Sequence, residues 1–222
     1  MTAAVERGDL DEAARQGMQA GPAIVAKALH AKSRTTVLAG IAAAPMVEDR
    51  AELLPDLARV AGAGDRRTAI PAARAAKQIA DAMTKKDLPD DLAPEDVQEW
   101  RASFEQLAIT PGRPIALRIT SLEVASSLEH VIDRDELGFD LGKALADSDP
   151  LLRIAALELV PRPLGANLRA QILPALADRD DGVALAAANI LCVDDDKTGV
   201  DPARVKTLVK AHPQADAARC LR

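Results

Sequence analysis

The chain contains almost no aromatic side chains: of its 222 residues, none is tyrosine, two are phenylalanine and one is tryptophan. A β-sheet protein fills its pleated faces with aromatic and β-branched residues, so this shortage argues against a sheet-based fold. Alanine and leucine dominate the apolar residues instead. Both have high helix propensity and can close the interfaces between packed helices. The composition therefore predicts an all-α protein.

The sequence also lacks an excess of positive charge and any long apolar run. Its 28 Lys and Arg are outnumbered by 34 Asp and Glu, giving a formal net charge of −6 and a pI of about 5.2. Nucleic-acid binding needs a concentrated basic surface, so this balance argues against nucleic acid as the main partner. Charged residues or prolines interrupt every apolar stretch before the ~20 residues that a membrane-spanning helix requires, so we expect no membrane span.

Two stretches in the C-terminal half repeat each other. Residues 144–149 read ALADSD and residues 175–180 read ALADRD, an offset of 31 residues. In the same register, residues 154–156 align with residues 185–187. Repeats of this length are typical of stacked helical pairs, in which each unit consists of a helix, a short turn and a second helix.

The pattern resembles the HEAT repeat family, including its bacterial scaffold members. Three features carry the resemblance: a proline inside the first helix, an aspartate in the turn, and an arginine early in the second helix. These residues are Pro55 and Pro174, Asp149 and Asp180, and Arg153. The second clear unit departs from the pattern, because Ala184 stands at the position of Arg153. The resemblance implies an all-α, right-handed α–α superhelix (a HEAT-like solenoid) of about five to six helical pairs, whose second helices line a concave face.

Residues 85–94 (KKDLPDDLAP) interrupt the repeats with charged residues and two prolines. Such a stretch is typical of an exposed linker. We therefore predict N-terminal HEAT-like helical repeats over residues 1–84, a linker over 85–94, and C-terminal HEAT-like repeats over 95–222. Just beyond the linker, Trp100 belongs to a single apolar stripe with helical spacing, so we expect it in the core rather than as a binding anchor.

The two cysteines leave two alternatives open. Alignment of the last two helical units places Cys220 about one turn away from the position that faces Cys192, near or beyond the distance limit for a disulfide, so two buried free thiols are one alternative. A disulfide between them is an equal alternative, and it would indicate export. Residues 1–7 lack the pattern of a signal peptide, so a cytoplasmic location is the default expectation unless a leader preceded Met1.

No pattern of metal ligands or catalytic residues stands out. His30, His130 and His212 are far apart and do not have the paired spacing of zinc ligands. Residues 194–199 (DDDKTG) resemble half of a calcium loop, but Val205 stands where that loop needs a bidentate glutamate, so a solvated turn is favoured. Neither a Ser-His-Asp or Cys-His arrangement nor a glycine-rich phosphate loop stands out. We therefore expect no catalytic residues, no metal and no cofactor.

The function that remains is a non-catalytic scaffold or protein–protein interaction module. The residues of the second helices expected to face an unknown protein partner are Arg66, Arg67, Arg74, Arg118 and Arg153. Their alternative role is a solvated helix surface with local ion pairs. The competing class is a HEAT-fold enzyme that resembles the alkylpurine DNA glycosylases or the phycobilin lyases. The low aromatic count and acidic pI disfavour the glycosylase, and no residue marks a pigment pocket.

Overall fold

The fold was analysed in a computed structural model, which describes Ala4, Arg7 and residues 9–84, 94–132, 137–193 and 196–221. Every regular element in these residues is an α-helix or a 3-10 helix, so the all-α prediction is confirmed. The predicted linker, apart from Pro94, lies outside the described residues. No helix in the described part of the chain is long and apolar enough to cross a membrane.

The chain divides into two compact units, Met1–Phe139 and Asp140–Arg222. This boundary lies far from residues 85–94, where the change in composition had suggested a division. Helices before and after that stretch contact one another within the first unit. The charged, proline-containing segment therefore interrupts the sequence of the first unit without separating the two units.

The first unit contains seven α-helices among its described residues. They are α1 (Leu10–Ala20), α2 (Pro22–Leu29), α3 (Arg34–Ala43), α4 (Leu54–Ala63), α5 (Arg66–Ala82), α6 (Pro94–Ile109) and α7 (Ile115–Ile132). The 3-10 segments Ala44–Met46 and Arg50–Leu53 connect α3 to α4. Helices α2, α4 and α6 form one layer and α3, α5 and α7 form a second, with α1 packed on α2 and α3.

Side-chain caps fix where several of these helices begin. At the start of α1, the Asp9 carboxylate accepts a hydrogen bond of 3.0 Å from the Glu12 amide. At the start of α5, the Asp65 carboxylate accepts hydrogen bonds from the amides of Arg67 (2.8 Å) and Thr68 (3.2 Å). Each cap satisfies amides that have no partner inside the helix and contributes about 1 kcal/mol.

The core of the first unit is built mainly from alanine and leucine, with few large side chains. Phe104 on α6 is completely buried, and Trp100 on the same helix is only 8 % exposed. Trp100 therefore lies in the core, as predicted from its apolar stripe. Small alanine side chains allow neighbouring helices to approach closely, which explains how a unit with so few aromatic residues can still exclude water.

The second unit contains five α-helices and two 3-10 segments among its described residues. They are α8 (Leu141–Leu145), α9 (Pro150–Glu158), α10 (Ala166–Ile172), Leu173–Ala177, α11 (Asp181–Val193), α12 (Pro202–Ala211) and Asp216–Leu221. Helix α11 is central, because it contacts α9 on one side and α12 and the last 3-10 segment on the other.

The 31-residue sequence repeat is also a structural repeat at its two turns. In the first copy the Asp147 carboxylate accepts a hydrogen bond of 2.8 Å from the Asp149 amide, and in the second Asp178 accepts one of 2.8 Å from the Asp180 amide. The second aspartate of each copy, Asp149 or Asp180, then accepts a bond of 3.0 Å from the amide two residues ahead and caps α9 or α11. Aspartate favours such turns because its short carboxylate reaches nearby amides.

Gly138 occupies a position where any side chain would meet the backbone of α7. A Cβ atom there would lie 2.2 Å from the Ala125 carbonyl oxygen and 2.7 Å from its carbonyl carbon. Neither atom can rotate away, so the backbone itself would have to move. We expect Gly138→Ala to lower the free energy of unfolding of the first unit by about 1–3 kcal/mol, measured by urea titration of Trp100 fluorescence.

Gly62 provides the matched control, because it also lies in the first unit but has room for a side chain. A Cβ atom there meets only Leu107 Cδ2, at an ordinary contact distance of 3.5 Å. Inside α4, alanine is more favourable than glycine by about 0.5–1 kcal/mol, so Gly62→Ala is expected to be neutral or stabilising. Equal losses in the two variants would contradict the close contact at Gly138.

Candidate partner-binding surface

The five arginines predicted to face a partner occupy two different environments. Arg66, Arg67 and Arg74 are exposed on α5. Arg118 on α7 and Arg153 on α9 are only 5 % and 4 % exposed. The expectation that these last two line a binding surface is therefore corrected, because a buried guanidinium that is bonded inside the chain cannot meet a partner.

Arg118 joins two helices of the first unit. Its Nε donates a hydrogen bond of 2.7 Å to the carbonyl oxygen of Ala108, in the last turn of α6. Carbonyl groups in the last turn of a helix have no partner within that helix, and a cation there also interacts favourably with the helix dipole. The side chain of Arg118 thus stabilises the pairing of α6 with α7.

Arg153 joins the two sequence repeats of the second unit. Its Nε and Nη2 donate to the two carboxylate oxygens of Asp178 at 3.0 and 2.9 Å, and its Nη1 donates to the Asp147 carbonyl at 2.8 Å. Burial alone would raise the pKa of Asp178, but hydrogen bonds from the Asp180 amide and from Arg153 outweigh it, so the pKa lies below its ordinary value. The pair is ionised at neutral pH and links one repeat to the turn of the next.

The exposed side of α5 carries three positive charges, and we refer to Arg66, Arg67 and Arg74 together as the arginine face. None of the three forms an ion pair with any residue that the structure describes. Arg67 and Arg74 are two helical turns apart, about 10 Å along the helix axis, and so project from the same side. Lys77 differs from them, because its ammonium group lies 2.5 Å from the Asp81 carboxylate.

The arginine face lies on the middle helix of its layer, because α5 contacts α3 on one side and α7 on the other. Apolar side chains accompany the charges. Ile70, between Arg67 and Arg74 in the sequence, and Leu38 on α3 are partly buried against the core. Met46, at the end of the 3-10 segment that follows α3, is 59 % exposed. The surface around α5 therefore combines guanidinium donors with partly exposed apolar groups.

A polar cluster that the sequence reasoning missed lies at the end of α2. The His30 ring Nε2 is 2.6 Å from Asp56 Oδ1, and Arg59 Nη2 donates a hydrogen bond of 2.9 Å to the Leu29 carbonyl. These residues are 26 to 30 positions apart in the sequence. Asp56 and Arg59 both lie on α4, so the cluster joins the end of α2 to α4.

The aspartate-rich stretch 194–199 is described only from Asp196 onward. Asp196 Oδ1 accepts a hydrogen bond of 2.9 Å from the Thr198 amide, and its Oδ2 lies 3.3 Å from Arg169 Nε. The carboxylate is thus engaged inside the chain. Among the described residues, no group of three or more His, Cys, Asp or Glu is arranged to hold a metal ion.

Cys192 and Cys220 form a disulfide, with their Cα atoms 5.0 Å apart. Of the two alternatives that the sequence left open, the structure contains the bridged one. The alignment of helical units had placed Cys220 one turn away because it assumed an α-helix at the end of the chain. Asp216–Leu221 is a 3-10 helix, which has fewer residues per turn and a greater rise per residue, so the register differs from that alignment.

The fold and the surface define an all-helical protein of paired helices with an exposed arginine face and a disulfide near its C-terminal end. Comparison of the chain with protein-family models, with curated proteins and with solved structures finds no match.

Proposed function

We propose that the chain is a non-catalytic protein-interaction module whose partner contacts the arginine face. The observation that supports this is the position of Arg66, Arg67 and Arg74 on one exposed side of α5 with no carboxylate of the described chain paired to them. Nine other arginines of the described chain bind carbonyl or carboxylate groups of the chain itself, whereas Arg50, Arg162 and Arg179 are single arginines elsewhere that form no ion pair with a described residue. The nine are Arg15, Arg59, Arg101, Arg113, Arg118, Arg153, Arg169, Arg204 and Arg219.

The repeat architecture that we propose for this module is of the HEAT type. Three observations support it. The helices of the first unit are paired in two layers, and the 31-residue repeat has the same aspartate turn in both copies. An arginine of the first copy, Arg153, is also bonded to the turn of the second copy. In repeats of this kind the second helices form one continuous layer. Helix α5 belongs to such a layer, which places its exposed side on a surface that a partner can reach.

The partner that best fits the arginine face is a protein segment rich in carboxylates. A guanidinium group binds a carboxylate through two parallel N–H bonds, and lysine cannot reproduce this geometry. Arg67 and Arg74 would accommodate carboxylates about 10 Å apart, which is the spacing of two helical turns in the partner. An apolar side chain between those carboxylates would contact Ile70. We therefore propose an acidic, amphipathic helix as the bound element.

The triple variant Arg66→Ala, Arg67→Ala, Arg74→Ala tests this proposal. The probe is a fluorescent helical peptide with glutamates seven residues apart and a leucine between them, and the measurement is fluorescence anisotropy. Three exposed ion pairs at about 0.5 kcal/mol each sum to about 1.5 kcal/mol, so the variant should bind about tenfold more weakly. Wild-type binding should weaken as salt is added, because exposed ion pairs are screened.

The matched control removes the same charge from the second unit through Arg179→Ala, Lys206→Ala and Lys210→Ala, all at exposed positions. It should bind the peptide as the wild type does. Equal losses in both variants would contradict the proposal, since net charge rather than the arginine face would then govern binding. Tighter binding of duplex DNA than of the acidic peptide would also overturn it in favour of a nucleic-acid ligand.

A further inference from the structure

The last 3-10 segment, Asp216–Leu221, occupies the place of a second helix in a further repeat. Helix α12 and this segment follow one another as the first and second helices of a repeat do, and the segment packs on α11 as α11 packs on α9. The segment is only six residues long, whereas α11 has 13. It is the last element that the structure describes, and we refer to it as the terminal cap.

The terminal cap packs on both α11 and α12, but its side chains are buried only shallowly. Ala217 is its one buried side chain among the described residues, and Leu221 is 43 % exposed. The Ala217 amide donates a hydrogen bond of 2.9 Å to Asn189 Oδ1, and the Lys197 ammonium donates an exposed one of 3.2 Å to the Arg219 carbonyl. A short 3-10 helix has no stability of its own, and one buried alanine offers little compensation for the entropy lost on ordering it.

The disulfide adds a covalent attachment to this shallow packing. Cys192 lies on α11 and is 1 % exposed, while Cys220 lies in the terminal cap and is partly exposed. We infer that the terminal cap is held by the oxidised state of this pair and that Cys220 is the sulfur at which thiols exchange. The difference in burial supports the assignment, because a thiolate must reach the sulfur that it attacks.

The reaction that opens the cap is a thiol–disulfide exchange with a dithiol reductant. One thiolate of the reductant attacks Cys220 Sγ, the bond to Cys192 breaks, and Cys192 leaves as a thiolate that takes up a proton. The second thiol of the reductant then displaces Cys220, so that two protein thiols and one reductant disulfide result. With a monothiol, the first step leaves a mixed disulfide on Cys220.

Opening the disulfide has a structural and a cellular consequence. The terminal cap separates from α11 and uncovers the part of that helix around Asn189 and Cys192. The capped form persists only where thiols remain oxidised, so the chain in this form is suited to an oxidising compartment. The exchange site lies in the second unit, whereas the arginine face belongs to the first.

Hydrogen exchange of the full chain tests whether the disulfide holds the cap. It compares three samples: the oxidised chain, the chain reduced with dithiothreitol, and the Cys220→Ser variant in a buffer without reductant. The Ala217 amide should exchange at least about tenfold faster in the second and third samples, while amides of α4 and α7 remain unchanged as the internal control. Unchanged protection of Ala217 in both the reduced chain and the variant would overturn the inference.

The position of exchange is tested separately by mass spectrometry. The oxidised chain is incubated with glutathione, quenched with iodoacetamide and digested without reduction. We expect glutathione on the peptide that contains Cys220 and carbamidomethyl on the peptide that contains Cys192. The opposite distribution would contradict Cys220 as the exchanging sulfur, and two free thiols in the untreated, denatured chain would contradict the disulfide itself.

Discussion

Replacing Asp178 by alanine is expected to lower the free energy of unfolding of the second unit by about 3–5 kcal/mol. The loss is large because the partner, Arg153, is 4 % exposed and would keep its charge without the carboxylate that neutralises it. The same substitution removes the acceptor for the Asp180 amide in the repeated turn. Hydrogen exchange of amides in α9 and α11 is the suitable measurement, since the single tryptophan lies in the first unit.

Asp181→Ala is the matched control for this prediction. Asp181 also lies 2.9 Å from an arginine, Arg204, but its side chain is 75 % exposed, whereas that of Asp178 is 15 % exposed. Water already solvates an exposed pair, so its loss should cost only about 0–1 kcal/mol. Similar losses from Asp178→Ala and Asp181→Ala would show that burial does not determine the contribution of the pair.

The contribution of Asp178 to the free energy of unfolding should also decrease as the pH is lowered. Its pKa in the folded chain lies below the ordinary value of 3.8, because hydrogen bonds from the Asp180 amide and Arg153 outweigh the effect of burial. A lowered folded-state pKa gives stability that is complete above the unfolded value and is lost as the pH falls through the folded value. The difference in the free energy of unfolding between the wild type and Asp178→Ala should therefore be constant near neutral pH and become smaller below about pH 4. A difference that widens on acidification would contradict the pairing.

Phe104→Ala should cause a comparable loss in the first unit, about 3–5 kcal/mol. Phe104 is completely buried on α6 and is the largest of the fully buried side chains in the described chain. Its removal leaves a cavity in the core, and the neighbouring side chains lose their contacts with the ring. Urea unfolding followed by Trp100 fluorescence measures this change.

Phe104→Leu serves as the control for Phe104→Ala, because leucine keeps most of the buried volume. Its cost should be below about 1.5 kcal/mol. The slope of the unfolding free energy against urea should be the same in both variants if only the native packing has changed. If Phe104→Ala lowers the free energy of unfolding by less than about 1 kcal/mol, the result would contradict the burial described for this side chain.

Several parts of the structure follow directly from short-range sequence features. The shortage of aromatic residues and the prevalence of alanine and leucine predicted the all-α class. The apolar stripe predicted the burial of Trp100. The two aspartate motifs, residues 147–149 and 178–180, predicted where the repeated turns lie. Each of these depends on residues within a few positions of one another, and helical spacing and capping act at that range.

The sequence predicted less of the candidate partner-binding surface. In the sequence, Arg118 and Arg153 resemble the exposed arginines of α5, and nothing local distinguishes them. Arg118 is bonded to a carbonyl 10 residues away and Arg153 to a carboxylate 25 residues away. Whether a guanidinium faces solvent thus depends on which acceptor the packing of another helix brings beside it.

The sequence by itself determined the helical class, the repeated turns and the buried stripe of α6, because propensity, capping and apolar spacing are properties of neighbouring residues. Only the tertiary structure decided the boundary after Phe139, the division of the arginines into buried and exposed, and the pairing of Cys192 with Cys220. Each of these depends on which distant side chains meet when helices pack. The free energy of such contacts comes from burial and geometry across the fold, and a linear sequence records neither.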